Sequence, residues 1–322
     1  MAERKEKKIK EELKQAVDFS NQIKSDGILV DISPIYLSKK FSVPVNQVKK
    51  NLKSFKKYKI AKFGTTLNYQ KLPIFNVVIT IKSTHPKYNS SLVKDLVMIP
   101  LVESVYQISG TDATHFVRAR VPTFEQISTL VSHIATKFKD KIELTETMIT
   151  KKIIEEEQYF YENEPFKPEK LDEIDMKILS CLNSNAEMTL KEIGKKVDLR
   201  EPSVYRRIKI LKEKKIILGY NCIRRWVNIP AKLQPIRAML TMRIKAKEIN
   251  EASVLNDIKK FSRVVFSYEV FGRYSLIMLI DVDSPFVLYK MIDELSKNEN
   301  LLEIQTYLVV NSLSTLWSMD YS

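Results

Sequence analysis

Two short basic stretches of this sequence carry side chains suited to reading duplex nucleic acid. In the second, Arg200, Ser203, Tyr205, Arg206, Arg207 and Lys209 cluster around Val204, Ile208 and Leu211, which recur at helical spacing. With the apolar set turned to a core, Ser203, Arg206 and Arg207 project from the opposite side, and Tyr205 and Lys209 flank them. The equivalent residues of the first stretch are Gln47, Lys50 and Asn51, flanked by Lys49 and Lys53. An arginine fork can donate two hydrogen bonds to guanine, Gln or Asn can pair with adenine, and lysine neutralises phosphate. Arg200 and Glu201 stand where a turn would enter the second helix, whose first amides can hold a phosphate. A lysine-rich helix on its own is commonly a solvated face. Third place in a tri-helical pattern, and repetition, turn it into a reading surface.

Other chemistry finds little support. The three histidines, His85, His115 and His133, have no Cys or carboxylate beside them at metal-ligand spacing, so no metal is expected. His115 falls in a predicted strand and reads as a packed or interface histidine. Six glycines supply neither a phosphate-cradling loop nor a nucleophile elbow, and no cofactor is expected. Asp172 and Asp175 suit a helix start better than a catalytic pair. Trp226 reads as packing at a hinge between domains, and Trp317 as an anchor for the C-terminal tail at an interface. Cys181 and Cys222 are too few for a disulfide framework and read as free thiols.

The elements that must position the basic residues occur twice, 156 residues apart. Residues 37–61 align without a gap onto 193–217, and the apolar positions coincide: Leu37 with Ile193, Phe41 with Val197, Val43 with Leu199, Val48 with Val204, Leu52 with Ile208, Phe55 with Leu211 and Ile60 with Ile216. A duplicated basic module points to a two-fold ligand, of which duplex DNA is the commonest. Charge agrees. The formal net charge is +14, with +8 on residues 1–164 and +6 on the rest. Between Asp31 and Asp95 there is no acidic residue, while thirteen lysines fall in that interval, nine of them from Lys39 to Lys62. Codon bias could raise lysine everywhere, but it would not remove every Asp and Glu from so long a run. An apolar fraction of 44% describes an ordinary globular chain. No run reaches the ~18–20 apolar residues of a membrane span, and the charged N-terminus lacks a signal-peptide core, so a cytoplasmic protein is expected.

Each copy is expected to open with three helices. Ser33-Pro34 marks one helix start and the capping box Thr189–Glu192 its counterpart, with third helices over 45–58 and 201–214. Short strands follow over 60–69 and 216–227. Then come strand, helix, strand, strand, helix, strand: 75–81, 89–98, 102–109, 114–120, a helix from Thr123, and 142–149 in the first copy. The second copy offers 238–244, 250–261, 264–271, 275–282, a helix from Ser284, and 301–309. The expected fold class is α+β, with two winged helix-turn-helix domains, each followed by a ferredoxin-like βαββαβ sheet domain. The expected boundaries are 1–70 and 171–230 for the winged helices, 71–153 and 231–322 for the sheet domains, and 154–170 for an acidic linker kept off nucleic acid.

The run Leu171-Asp172-Glu173-Ile174-Asp175-Met176-Lys177-Ile178-Leu179 resembles the opening of the Lrp/AsnC (feast/famine) family of transcriptional regulators. So does Val204-Tyr205-Arg206-Arg207-Ile208-Lys209-Ile210-Leu211, followed by Ile216-Ile217-Leu218-Gly219-Tyr220. The βαββαβ region, with a glycine before its third strand, is similar to that family's ligand-sensing and dimerising domain. The resemblance spans nearly the whole chain in two copies, strongly in the second helix-turn-helix and weakly in the first. It implies binding of double-stranded DNA and self-association through the sheet domains, as a pseudo-dimer within one chain or a homodimer between chains. It also implies a small-molecule effector near Gly110, Asp112, Gly272 and Arg273. The family commonly has an acidic residue three positions after each sheet-domain glycine, whereas Ala113 and Ser275 stand here. That departure argues against an amino-acid effector and leaves a vestigial pocket or one for another ligand.

Two other functions fit the layout. Siroheme decarboxylases resemble the Lrp/AsnC fold and work as pairs of similar subunits, and positive charge would suit a polycarboxylate tetrapyrrole. Against that, the Pro- and Arg-rich segment between the first two helices of such enzymes is missing around residues 183–189. An adaptor that has lost DNA binding in one copy is the other. The sequence favours the non-enzymatic DNA-binding regulator.

Overall fold

The duplication is written into the backbone. In the computed structural model, which describes residues 2–110, 112–156, 159–161, 166–224, 228–245, 254 and 257–314, four non-glycine residues adopt left-handed conformations at matching places in the two copies. Ser42 and Asp198 end the second helices, and Lys59 and Lys215 lie just past the third, all with φ between 51° and 55°. Each pair is separated by the same 156 residues as the sequence repeat. A side chain in this region is strained, so its recurrence marks turns imposed by the helices on either side.

The first copy opens with α1 (Ala2–Asp26), α2 (Pro34–Phe41), α3 (Val45–Tyr58) and strand β1 (Ala61–Leu67). The Ser33 hydroxyl accepts from the amide of Tyr36 and starts α2, with Pro34 in its first turn. After β1 come β2 (Phe75–Ser83), α4 (Asn89–Val97), β3 (Val102–Ser109), β4 (His115–Val121), α5 (Phe124–Lys137), β5 (Ile142–Glu156) and the short β6 (Tyr159–Phe160). The second copy repeats this with α6 (Glu173–Ser184), α7 (Leu190–Val197), α8 (Glu201–Glu213), β7 (Ile217–Arg224), β8 (Ile236–Ile244), β9 (Arg263–Phe271), β10 (Leu276–Val282), α9 (Pro285–Ser296) and β11 (Leu301–Ser314). Thr189 and Glu192 form the expected capping box on α7. Most of the helix expected over 250–261 lies outside the described residues, as do Trp226 and Trp317.

The chain divides into two units, Met1–Asn68 with Leu171–Gln234 and Tyr69–Lys170 with Pro235–Ser322. In the first, both helix-turn-helix copies share one body. β1 and β7 pair antiparallel, from Ala61 opposite Arg224 to Leu67 opposite Ile217. Leu29 bridges Tyr220 by two backbone hydrogen bonds of 2.8 Å. Val17, Phe19 and Ile23 of α1, Leu37 of α2, and Val48 and Phe55 of α3 are buried with Cys222 of β7.

In the second unit, alternation along β2 sends Val77, Ile79 and Ile81 to a core beneath α4 and α5, and the corresponding residues of β8 and β10 join a separate core with Leu288, Met291 and Leu295 of α9. Each last strand serves both copies. The first half of β5 pairs with β2 and its second half with β9. Likewise the first half of β11 pairs with β8 and its second half with β3. The two sheets are therefore joined by reciprocal exchange of strand ends within one chain. Here β5 departs from the expected end at Ile149. It continues to Glu156, so the start of the acidic segment 154–170 is buried sheet rather than linker. Glu156 is 1% exposed and meets Arg118 at 3.0 Å, Arg120, and the Tyr268 hydroxyl at 2.8 Å. A carboxylate so deep is held by two guanidiniums and a phenol, the arrangement that a buried charge requires.

Candidate nucleic-acid interface

The two third helices belong to one unit and follow one plan, yet they present different surfaces. On α8, Tyr205, Arg206 and Lys209 are exposed, Ser203 is half-buried, and Val204 and Leu211 are in the core. Arg200 precedes the helix, is exposed, and makes no side-chain cap. On α3, Lys49, Lys50 and Lys53 are exposed, Gln47 is half-buried and Val48 and Phe55 are in the core. Neither helix carries a side-chain cap at its first turn, which leaves the leading amides turned to solvent or to an anion.

Two expected reading residues face the other way, and they occupy the same register. Arg207 donates from Nη1 to Asp172 Oδ2 at 2.8 Å and to Asp175 Oδ1 at 2.7 Å, which ties α8 to the first turn of α6. Burial works to raise the Asp172 carboxyl, but the Asp175 amide and the Arg207 guanidinium outweigh it and hold the group below the usual carboxylate range. Asn51, the match of Arg207, is only 5% exposed. Its side-chain oxygen accepts from Gln47 Nε2 at 3.0 Å, and the same nitrogen also donates to Gln15 Oε1 of α1 at 3.3 Å. The cause is geometric. Successive helical residues turn by about 100°, so a residue next to the exposed face points along the groove toward the first helix. The spacing of Asp172 and Asp175, one helical turn apart and opposite an arginine, was the signal available in the sequence.

The α1 helix adds a feature with no counterpart among the described residues of the second copy. It is 25 residues long against 12 for α6, and by the repeat register α6 begins at the equivalent of Val17. Residues 2–16 are thus an extension, and its Glu12 accepts from Tyr58 at 3.1 Å and from Lys57 at 3.4 Å on α3. The Tyr58 hydroxyl, with Lys57 and Lys50 nearby, holds the Glu12 carboxyl below its ordinary value against a small desolvation effect.

In the sheet unit, Gly272 has a φ of +144°, and a side chain there would meet Glu146 Oε1 at 2.8 Å. A side chain at Gly110 would strike the Tyr307 ring at 2.5 Å. Gly272 is thus required by its positive φ, and Gly110 by the close approach of the Tyr307 ring. Asp112 and Arg273 are exposed and close enough for charge to couple them. The Arg273 amide donates to Glu146 at 2.6 Å and its guanidinium lies 3.3 Å from Glu303. Ala113 is buried, and Ser275 is taken up by the backbone of Ile244, whose amide donates to its hydroxyl at 3.1 Å. His115 is fully buried between Thr114 and the carbonyl of Asn89, and burial pushes its pKa down, as befits a packed side chain. Cys181 and Cys222 are both buried. Among the described residues no helix is long and apolar enough to cross a membrane.

Comparison with known proteins bears on the same segments. Residues 171–212 match the AsnC-type helix-turn-helix domain. The HTH-type transcriptional regulator Ptr1 of Methanocaldococcus jannaschii is 34% identical over 117 residues, which cover 35% of this chain and 76% of the relative. The HTH-type transcriptional regulator FL11 of Pyrococcus furiosus is 29% identical over 140 residues, 44% of this chain and 89% of that protein. Each such relative thus spans less than half of the present chain. The two-copy layout is matched by the crystal structure of the siroheme decarboxylase NirDL, with a TM-score of 0.62, 13% identity, and coverage of 94% of this chain and 93% of that one. At that identity the likeness concerns the fold alone. The helix-turn-helix match and the identity to Ptr1 over three-quarters of its length place this chain in the Lrp/AsnC family of HTH-type transcriptional regulators.

Proposed function

We propose that this chain is a sequence-specific DNA-binding transcriptional regulator that works as a fused pseudo-dimer in the cytoplasm. Residues 1–70 and 171–230 are its DNA-binding halves, and 71–153 and 231–322 its sheet halves. The observation that carries the reading is the pairing of β1 with β7, which holds two basic third helices in one body. Each helix enters a major groove, and the two contacts lie about one helical turn apart or a multiple of it. Arg206, Tyr205 and Ser203 meet base edges. Arg200, Lys209, Lys49, Lys50 and Lys53 meet phosphate. The place for a small-molecule effector in this reading is the group of Asp112, Arg273, Glu146 and Tyr307 beside the two glycine turns, with an amino acid disfavoured by Ala113 and Ser275.

The test is a titration of the purified protein against its own upstream DNA and a scrambled duplex at two salt concentrations. Tight binding that favours the upstream duplex and weakens steeply with salt supports the regulator. Absence of binding at low salt refutes it. The layout shared with NirDL favours, as a second reading, an enzyme on the same scaffold. Titration with iron uroporphyrin separates the two, since a bound tetrapyrrole gives a shifted Soret band and a regulator gives none.

A further inference from the structure

We infer that the two helix-turn-helix copies divide the work: α8 is the main reader of sequence, and α3 chiefly clamps the DNA backbone. This rests on the DNA-binding function proposed above and states which half of the interface specifies the target.

Four observations on α3 lead there. Of its three amide side chains, Gln47 and Asn51 are engaged within the protein, and Asn46 is exposed in the first turn. Gln47 donates to both Asn51 and Gln15, and Asn51 is buried. The partner Gln15 comes from the α1 extension, which is without a counterpart among the described residues of the second copy. The rest of the exposed stripe is Lys49, Lys50 and Lys53, compact point charges on flexible stems that neutralise phosphate without a fixed fork. The run from 32 to 94 contributes no acidic residue, and Glu12 of α1 lies near Lys50. On α8 the reverse holds. Arg206 and Tyr205 stand exposed, Tyr205 at 59%. Arg207 is spent on fixing α8 to α6 through Asp172 and Asp175, which steadies the helix that presents Arg206. A planar guanidinium on a rigidly held helix is what bidentate recognition of guanine needs.

The target should therefore contain one specified half-site beside one of arbitrary sequence that is still needed as duplex. Selection of the full-length protein on a randomised duplex library is expected to enrich a single block of preferred bases. Shortening the duplex on the unselected side should weaken binding whatever its sequence. The Lys49→Ala/Lys50→Ala/Lys53→Ala variant should keep the block and lower the slope of log K against log salt by about 2.7, at 0.9 per phosphate. Arg206→Ala should keep the slope and lose discrimination within the block, by about 5- to 150-fold at one base pair. Two separated blocks of preference, a block that survives Arg206→Ala but not the lysine variant, or indifference to shortening would each overturn the division. A protein that retains no duplex at low salt would instead overturn the DNA-binding function itself.

Discussion

Arg206 and Arg207 are neighbours of one type, and the structure gives them separable consequences. Arg207 makes two ion-pair hydrogen bonds, to Asp175 at 2.7 Å and Asp172 at 2.8 Å, with side-chain exposures of 26% for Arg207, 19% for Asp175 and 53% for Asp172. The bond to the more exposed Asp172 is worth about 0.5 kcal/mol, in the range of surface pairs. The bond to Asp175 is better shielded and contributes about 1–1.5 kcal/mol, toward the value of hydrogen bonds to charged groups. Arg207→Ala should then destabilise the DNA-binding unit by about 2 kcal/mol, or roughly 4–8 °C in Tm, readable by calorimetry. Arg206→Ala removes an exposed side chain, so stability should change by less than about 0.5 kcal/mol. Acid adds a check. Because the Asp172 pKa is depressed in the folded state, its contribution is complete above the unfolded carboxylate value near 3.9 and is lost as pH falls through the lower folded value. The gap between wild type and Arg207→Ala should be constant from about pH 5 to 8 and narrow below about pH 4. Measured well below Tm, Arg207→Ala should keep its base preference while Arg206→Ala loses it. The assignment fails if Arg207→Ala leaves Tm unchanged and alters base preference.

The remaining predictions concern the buried charges and one cap. Asp281 sits between Arg237, at 2.7 Å, and Arg263; burial would raise its carboxyl, but the two guanidiniums outweigh it and hold it far below the usual range. Asp281→Asn should cost about 3–5 kcal/mol at pH 7 by leaving two cations facing each other, with the penalty shrinking only in acid well below pH 4, as read by urea denaturation. Glu156→Gln should cost about 3 kcal/mol in the same assay, because Arg118 and Arg120 then share one fewer carboxylate. Thr189→Ala removes the capping box of α7 and should cost about 1 kcal/mol without altering base preference in a binding titration.

Patterns confined to one helix or one turn were legible in the sequence. The caps at Ser33, Thr123, Thr189 and Ser284 all accept from the amide three residues on, because a cap needs only its own first turn. The gap-free register of the third helices carries through to matching backbone angles at Ser42 and Asp198. What depended on distant partners was hidden. Glu155 and Glu156 resemble linker residues until Lys259, Arg118 and Arg120 are brought beside them by the exchanged strand. Asn51 and Arg207 look like members of an exposed face until α1 and α6 occupy the groove they point along. A side chain one position from a helix boundary is assigned by whatever packs there, and that is not a property of the helix.

Fusion of two copies in one chain changes what each position is free to do. In a dimer of identical chains, a residue type chosen for one copy is imposed on the other. Here Asn76 lies opposite Arg120 in the first sheet, and at the same register of the second sheet Arg237 lies opposite Asp281, so the charge of the buried partner is inverted. The first site is satisfied by Glu103 and Glu156, the second by Arg237 and Arg263. Each set is drawn from one copy, Glu103 and Glu156 from the first and Arg237 and Arg263 from the second, so each copy neutralises its own buried charge in its own way. The two copies thus differ in their interiors, and the same freedom extends to the surface. Met148 and Tyr307 take matching places against the two glycine turns, and Asn51 and Arg207 take matching places against the two first helices. Once the halves need not match, a lysine-faced clamp and an arginine-bearing reader can share one rigid body. A symmetric dimer cannot make that combination from a single helix sequence.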